Sequence, residues 1–172
     1  LPVFAAGAAL EEVVETALRN PHVIATTTAV FGILLWAADR LGGRRRTLEA
    51  LGWSDALLIG LAQAMALVPG VSRAGVTMTA ARALGLDRRS AVQFSFLLAI
   101  PVILGASVFK AIDLVGSPQP MSWYVFGLGV VVSACSAWCV LVVFLRVIEK
   151  SGMLVFVLYR LLLAAFLFYW FQ

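Results

Sequence analysis

Arg73 stands beside Ser72 and just behind Pro69-Gly70, in a chain that is otherwise mostly apolar. An arginine presents its N–H donors in a planar fork that matches phosphate oxygens. A serine ahead of a helix caps it and keeps its hydroxyl close to the first free backbone amides. Those amides carry partial positive charge and attract anions. Pro69 lacks an amide donor, and Gly70 accepts backbone angles that other residues avoid. Gly75 allows close approach of a neighbouring helix or of a phosphate group. The chemistry implied is recognition of a phosphate, with Arg73 and the amides around Ser72 stabilising its charge.

The flanking segments explain how such a group would be placed. Residues Ala56 to Val68 form an apolar stretch about 20 Å long as a helix, too short for a hydrocarbon core of roughly 30 Å. Thr77 to Leu84 reads as a second short helical piece, with Pro69-Gly70 ending the first and Ser72 capping the second. This pattern predicts a helix–break–helix that dips into a membrane and returns. Broken backbone survives at that depth only inside protein or beside a wet cavity.

Composition supports the setting. The chain has 172 residues, of which 62% are hydrophobic and only 13% charged, and its mean hydropathy is +0.99. These values exclude a soluble globular domain. The expected class is an all-α, polytopic helical membrane protein with a re-entrant hairpin, one membrane domain over residues 1–172. Spans are predicted at Val23–Leu41, Ala91–Ile112, Trp123–Leu145 and Met153–Phe171, with Ser90 capping the second and Pro101 inside it. Pro2–Arg19 reads as a moderately apolar helix, and Thr47–Asp55 as an interfacial segment. The net charge of +4 does not indicate nucleic acid. Arg40, Arg44, Arg45, Arg46, Arg82, Arg88, Arg89, Arg146 and Lys150 fall at segment ends or in short loops, the positive-inside pattern of cytoplasmic loops.

Other polar residues have more ordinary readings beside any functional one. An arginine at 73 can snorkel to the headgroups, although an intramembrane cation is costly without a partner. Arg160 lies seven residues into the last span and needs a partner there, either an acid or a substrate diphosphate. Gln63 suits an interhelical hydrogen bond, and Thr77 suits a bond back to its own helix. Glu11 and Glu15 share a helix face at a spacing that can hold a divalent cation, although a solvated helix end is the plainer reading. His22, the only histidine, reads as a turn residue beside Pro21. Cys135 and Cys139 are poorly placed for a disulfide and read as small residues packed inside the bundle.

The stretch Gln63-Ala64-x-Ala66-x-x-Pro69-Gly70-x-Ser72-Arg73-x-Gly75-x-Thr77 resembles the second motif of the undecaprenyl-diphosphate phosphatases, the bacitracin-resistance family. Phe94-Ser95-Phe96-Leu97-Leu98-Ala99-Ile100-Pro101 and Tyr159-Arg160 match the same family in order and spacing. Ala74 departs from the pattern, where many members carry a second serine. The resemblance implies Ser72, Arg73 and Thr77 as catalytic residues, and Gly70, Gly75, Gln63 and Arg160 as substrate-binding ones. It implies a polyprenyl diphosphate substrate, a divalent cation (Mg or Ca) with no ligand identified in this chain, and the cytoplasmic membrane of a bacterium. A homodimer is left open. The family's first, acidic motif has no counterpart in this sequence. The chain is therefore expected to be the C-terminal part of a longer protein, without activity alone. A transporter or flippase for a polyprenyl phosphate is the alternative, since opposed re-entrant hairpins also build transporters.

Overall fold

A computed structural model describes residue 18 and residues 20–43, 46–115 and 122–171. The helix expected over Pro2–Arg19, with Glu11 and Glu15, lies outside the described residues, as do Arg44, Arg45 and the loop at 116–120. Six α-helices follow in order: α1 (Pro21–Leu41), α2 (Trp53–Ala64), α3 (Arg73–Ala83), α4 (Arg88–Val115), α5 (Trp123–Ser151) and α6 (Leu154–Trp170). Short 3₁₀ turns at Leu48–Ala50 and Met65–Leu67 precede and extend α2. Three helices, α1, α4 and α5, are long and apolar enough to cross a membrane, and α2 with its extension and α6 are shorter apolar helices. Among the described residues there is no strand beyond an isolated bridge between Arg46 and Leu86. This is the all-α polytopic architecture that composition called for.

Several boundaries differ from those the sequence suggested, each for a local reason. The second arm of the hairpin begins at Arg73 and not at Thr77. Ser72 caps it directly, accepting from the Gly75 amide at 3.2 Å, so residues 73–76 already form its first turn. Helix α4 starts at Arg88 because Asp87, and not Ser90, is the cap: its carboxylate accepts the Ser90 amide at 2.7 Å. His22 sits in the first turn of α1, after an Asn20 cap and Pro21 at the first position, and not in a loop. Cys135 and Cys139 are exposed and not packed inside the bundle. The face around them on α5 is apolar and open, as a surface facing lipid would be.

Helix α1 packs against α6 and α3, while α3 also contacts α2 and α4. Leu35, Ile59, Met78, Val92, Ile148 and Val157 bring all six helices into one core. A smaller cluster of Phe31, Val71 and Val76 seats the break against α1.

One end of the bundle carries the charges. Arg82 is fully buried and donates to Asp39 at 3.2 Å, to the carbonyls of Gly43 and Asp39, and to that of Leu86. Arg88 donates Nε and Nη2 to the two Asp39 carboxylate oxygens, both at 2.8 Å. Arg46 reaches Asp55 in the first turn of α2 at 3.2 Å and the Leu84 carbonyl at the end of α3 at 3.1 Å. One side chain thus clasps both outer ends of the hairpin, so its two arms start and finish together. From there α3 runs 11 residues, about 16 Å, down to the break.

The Arg46 guanidinium and the Gly52 amide hold the Asp55 carboxyl below the ordinary carboxylate range. A depressed folded pKa contributes stability above the unfolded pKa of about 3.9 that disappears as pH falls through the folded value. Asp55→Asn is therefore expected to flatten the acid side of a melting-temperature profile in detergent while lowering stability at neutral pH. An unchanged acid limb would show that Asp55 does not set it.

Candidate active site

The break runs from Val68 to Ser72, and its carbonyls are all directed into protein. The Thr27 hydroxyl donates to the Pro69 carbonyl at 2.6 Å, and that of Thr28 to the Gly70 carbonyl at 3.2 Å. Arg160, on α6, donates Nη2 to the Gly70 carbonyl at 2.7 Å and Nη1 to the Val71 carbonyl at 2.9 Å. Gly70 has φ +88, and a Cβ there would collide with the Thr27 hydroxyl and the Ile24 carbonyl. Gly75 leaves room for Arg160, since a Cβ would lie 2.5 Å from its Nη1. Both glycines are thus required by close approach, one of α1 and one of a guanidinium.

Ser72 is the only non-glycine residue with positive φ among the described residues, at φ 64 and ψ 112. Such a conformation costs on the order of 1–3 kcal/mol and persists only where the surroundings over-determine it. The four carbonyl contacts from α1 and α6 provide that restraint. The consequence is local: Ser72 closes the break and starts α3, turning Arg73 into the first helical position.

Arg73 is half-buried, and its Nη1 is buried without a hydrogen-bond partner. Among the described residues neither Arg73 nor Arg160 forms an ion pair. Arg160 is 3% exposed, and carbonyl oxygens occupy two of its nitrogens. That is a third arrangement, distinct from both an acid partner and a substrate contact. A buried cation with an empty donor is expensive, and an anion arriving at Arg73 would relieve it.

Ser72, Arg73 and Ala74 form one end of a cavity of about 950 Å³. Its remaining wall comes from Leu48 and from α4, α5 and α6 and is mostly apolar, including Phe96, Ile100, Leu141, Phe144 and Phe156, with Gln93 as a polar exception. The cavity thus joins one guanidinium and one hydroxyl to a long greasy wall. Gln63 is buried at 2% exposure with Oε1 unpartnered, and does not line it.

Thr77 lies behind the cavity at 1% exposure. Its hydroxyl is 2.9 Å from the Arg73 carbonyl and 2.6 Å from the Ser95 hydroxyl on α4. With the Thr77 proton directed at the Arg73 carbonyl, Ser95 is left as donor to Thr77. Thr77→Val should strand the Ser95 hydroxyl and cost about 1–3 kcal/mol, whereas Thr77→Val with Ser95→Ala should cost distinctly less. Chemical denaturation of the three variants in micelles measures this. A double variant as unstable as the sum of the singles would refute the coupling.

Thr27 and Thr28 were not singled out from sequence, and Ser95 entered only as part of the Phe94–Pro101 stretch. The run Thr26-Thr27-Thr28 inside an apolar span is the signal that marks the first two. Ser95, between Phe94 and Phe96, carries none of its own.

A divalent cation does not fit the described residues. Among the described residues no three of His, Cys, Asp and Glu come together, and the cavity head offers a guanidinium and a hydroxyl. This donor set suits an anion.

A profile of the family described as Bacitracin resistance protein BacA matches residues 1–166. The chain belongs to the BacA family. Among relatives of this BacA chain, the undecaprenyl-diphosphatase of Alcanivorax borkumensis is 49% identical over 170 residues, covering 99% of the chain and 64% of that protein. The undecaprenyl-diphosphatase of Teredinibacter turnerae is 49% identical over 168 residues, 98% of the chain and 64% of that protein. That of Chromohalobacter salexigens is 46% identical over 170 residues, with 99% and 64% coverage. The BacA chain thus spans about 64% of the length of these relatives.

Proposed function

We propose that this chain supplies the phosphate-binding half of a membrane diphosphatase acting on undecaprenyl diphosphate. The observation that carries this reading is the unpartnered Arg73 Nη1 at the head of a large apolar cavity. A polyprenyl chain lies along α4 and α5 while its diphosphate meets Arg73, the Ser72 hydroxyl and the free amides at the start of α3. The overall reaction breaks the phosphoanhydride bond with water, releasing undecaprenyl phosphate and inorganic phosphate for reuse as a cell-wall lipid carrier. Arg73 stabilises the charge that builds on the transferred phosphoryl group. Arg160, Thr27 and Thr28 hold the break so that its carbonyls face away from that charge. In this reading the hairpin is re-entrant in the cytoplasmic membrane of a bacterium, and the site faces outward.

The attacking group and its assisting carboxylates belong, by resemblance, to an acidic motif that this sequence does not contain. Any divalent cation belongs, in this reading, to that side of the site. A homodimer is not part of this reading. Inorganic phosphate released from labelled undecaprenyl diphosphate in micelles, by a protein joining this chain to the acidic motif, tests the proposal. Intact lipid diphosphate moved across a bilayer, with no phosphate released, would favour the transporter reading instead.

A further inference from the structure

A second, smaller cavity of about 200 Å³ opens at the charged end of the bundle. Trp36, Asp39 and Arg40 of α1 line it, together with Arg88 of α4 and Ser151, Met153 and Leu154 at the junction of α5 and α6. It shares no residue with the cavity at Arg73.

Its electrostatics are positive. Among the described residues Asp39 is the one carboxylate lining it, and Arg82 and Arg88 are both hydrogen-bonded to that group. Arg40 adds a third cation. The Arg88 guanidinium lies flat on Gly152: a Cβ there would stand 2.8 to 3.0 Å from its Cζ, Nη1 and Nη2. Gly152 also has φ +69, so both its missing side chain and its backbone angle make room for that fit. Asp39 takes Nε and Nη2 of Arg88, leaving its Nη1 as the edge not engaged by Asp39. Arg89, Arg146 and Lys150 lie on the same two helix ends and add to the field.

The rim is of a different character. Trp36 is 44% and Leu154 43% exposed, on helices whose outer surface is apolar. A tryptophan at the end of an apolar helix, beside arginines, is characteristic of the headgroup boundary. Basic pockets between helices on the cytoplasmic side suit anionic lipid heads.

We propose that this cavity is a headgroup pocket for an anionic phospholipid. The phosphodiester oxygens meet Arg40 and the free edge of Arg88, Ser151 donates its hydroxyl, and the acyl chains leave along Trp36 and Leu154. A space of about 200 Å³ holds a phosphate with its glycerol but not a hydrocarbon tail. Since Arg88 also anchors Asp39 and through it Arg82, an occupied pocket would brace the end of the bundle that holds the hairpin.

The test is lipid retention by native mass spectrometry. The full-length protein in micelles is titrated with phosphatidylglycerol or with phosphatidylcholine. Phosphatidylglycerol is expected to be retained at least about fivefold better, the effect of one basic residue near a phosphate surface. Arg40→Gln changes an exposed side chain and leaves Asp39, Arg82 and Arg88 in place; it should abolish most of that preference. Lys110→Gln, on the distant half of α4, should retain it. Equal retention of the two lipids would overturn the proposal, as would a preference untouched by Arg40→Gln or lost equally in Lys110→Gln. Removal of the preference by millimolar inorganic phosphate would make the pocket a site for the free anion, and the lipid assignment would fall.

Discussion

Arg73→Ala, in a protein that also carries the acidic motif, is expected to lower turnover about 10²–10³-fold, the usual cost of losing one donor aimed at developing charge. Arg73→Lys should recover little of it. A lysine ammonium is a compact point charge and cannot reproduce the planar fork of donors that a guanidinium offers to phosphate oxygens. The defect should appear mainly in kcat, because the apolar wall of the cavity supplies most of the ground-state binding of a polyprenyl chain. Phosphate release from labelled lipid diphosphate, measured across substrate concentrations, separates the two constants. Turnover within about twofold of the parent, well short of the expected loss, would remove Arg73 from the reaction.

The largest effect on stability is expected at Asp39, which takes no part in that chemistry. Asp39→Ala takes from Arg82, which is fully buried, the carboxylate it donates to at 3.2 Å. It also releases Arg88 from the carboxylate that both arginines share. Breaking a buried pair by removing one partner costs about 3–5 kcal/mol, which for a chain of this size lowers Tm on the order of 10 °C. Asp39→Asn keeps the shape and loses the charge, so it should retain only part of the stability. Replacing Asp39 and Arg82 together with apolar residues should do better than Asp39→Ala alone. Thermal unfolding in detergent distinguishes these, and a Tm for Asp39→Ala within about 2 °C of the parent would refute the role.

The contrast between these residues shows what a sequence of this kind reveals. The break was legible because Pro69-Gly70 and three polar side chains interrupt an apolar run, and little else can produce that pattern. The placement of Ser72 as a cap followed from the same stretch, while the second helical piece was read from Thr77, four residues after its observed start at Arg73. In the fold Gly75 is helical, and its missing side chain accommodates Arg160. Arg82 and Arg88 were legible only as charges at segment ends. That they converge on Asp39 depends on how α1, α3 and α4 pack, and the relevant separations are 43 and 49 residues. Arg160 posed a similar problem: the need for a partner was evident from its depth, but not that backbone carbonyls would meet it.

Those carbonyls lie 89 and 90 residues upstream of the guanidinium that binds them. A ribosome delivers Gly70 and Val71 to the bilayer long before it reaches Arg160, with α4 and α5 still to be made. Until α6 arrives, the turn has only the threonines of α1 to hold it, and the Val71 carbonyl lacks the donor it finds in Arg160. Synthesis of α6 therefore completes a turn laid down some 90 residues earlier, and a nascent chain that stalls before it leaves that turn without the guanidinium that holds it.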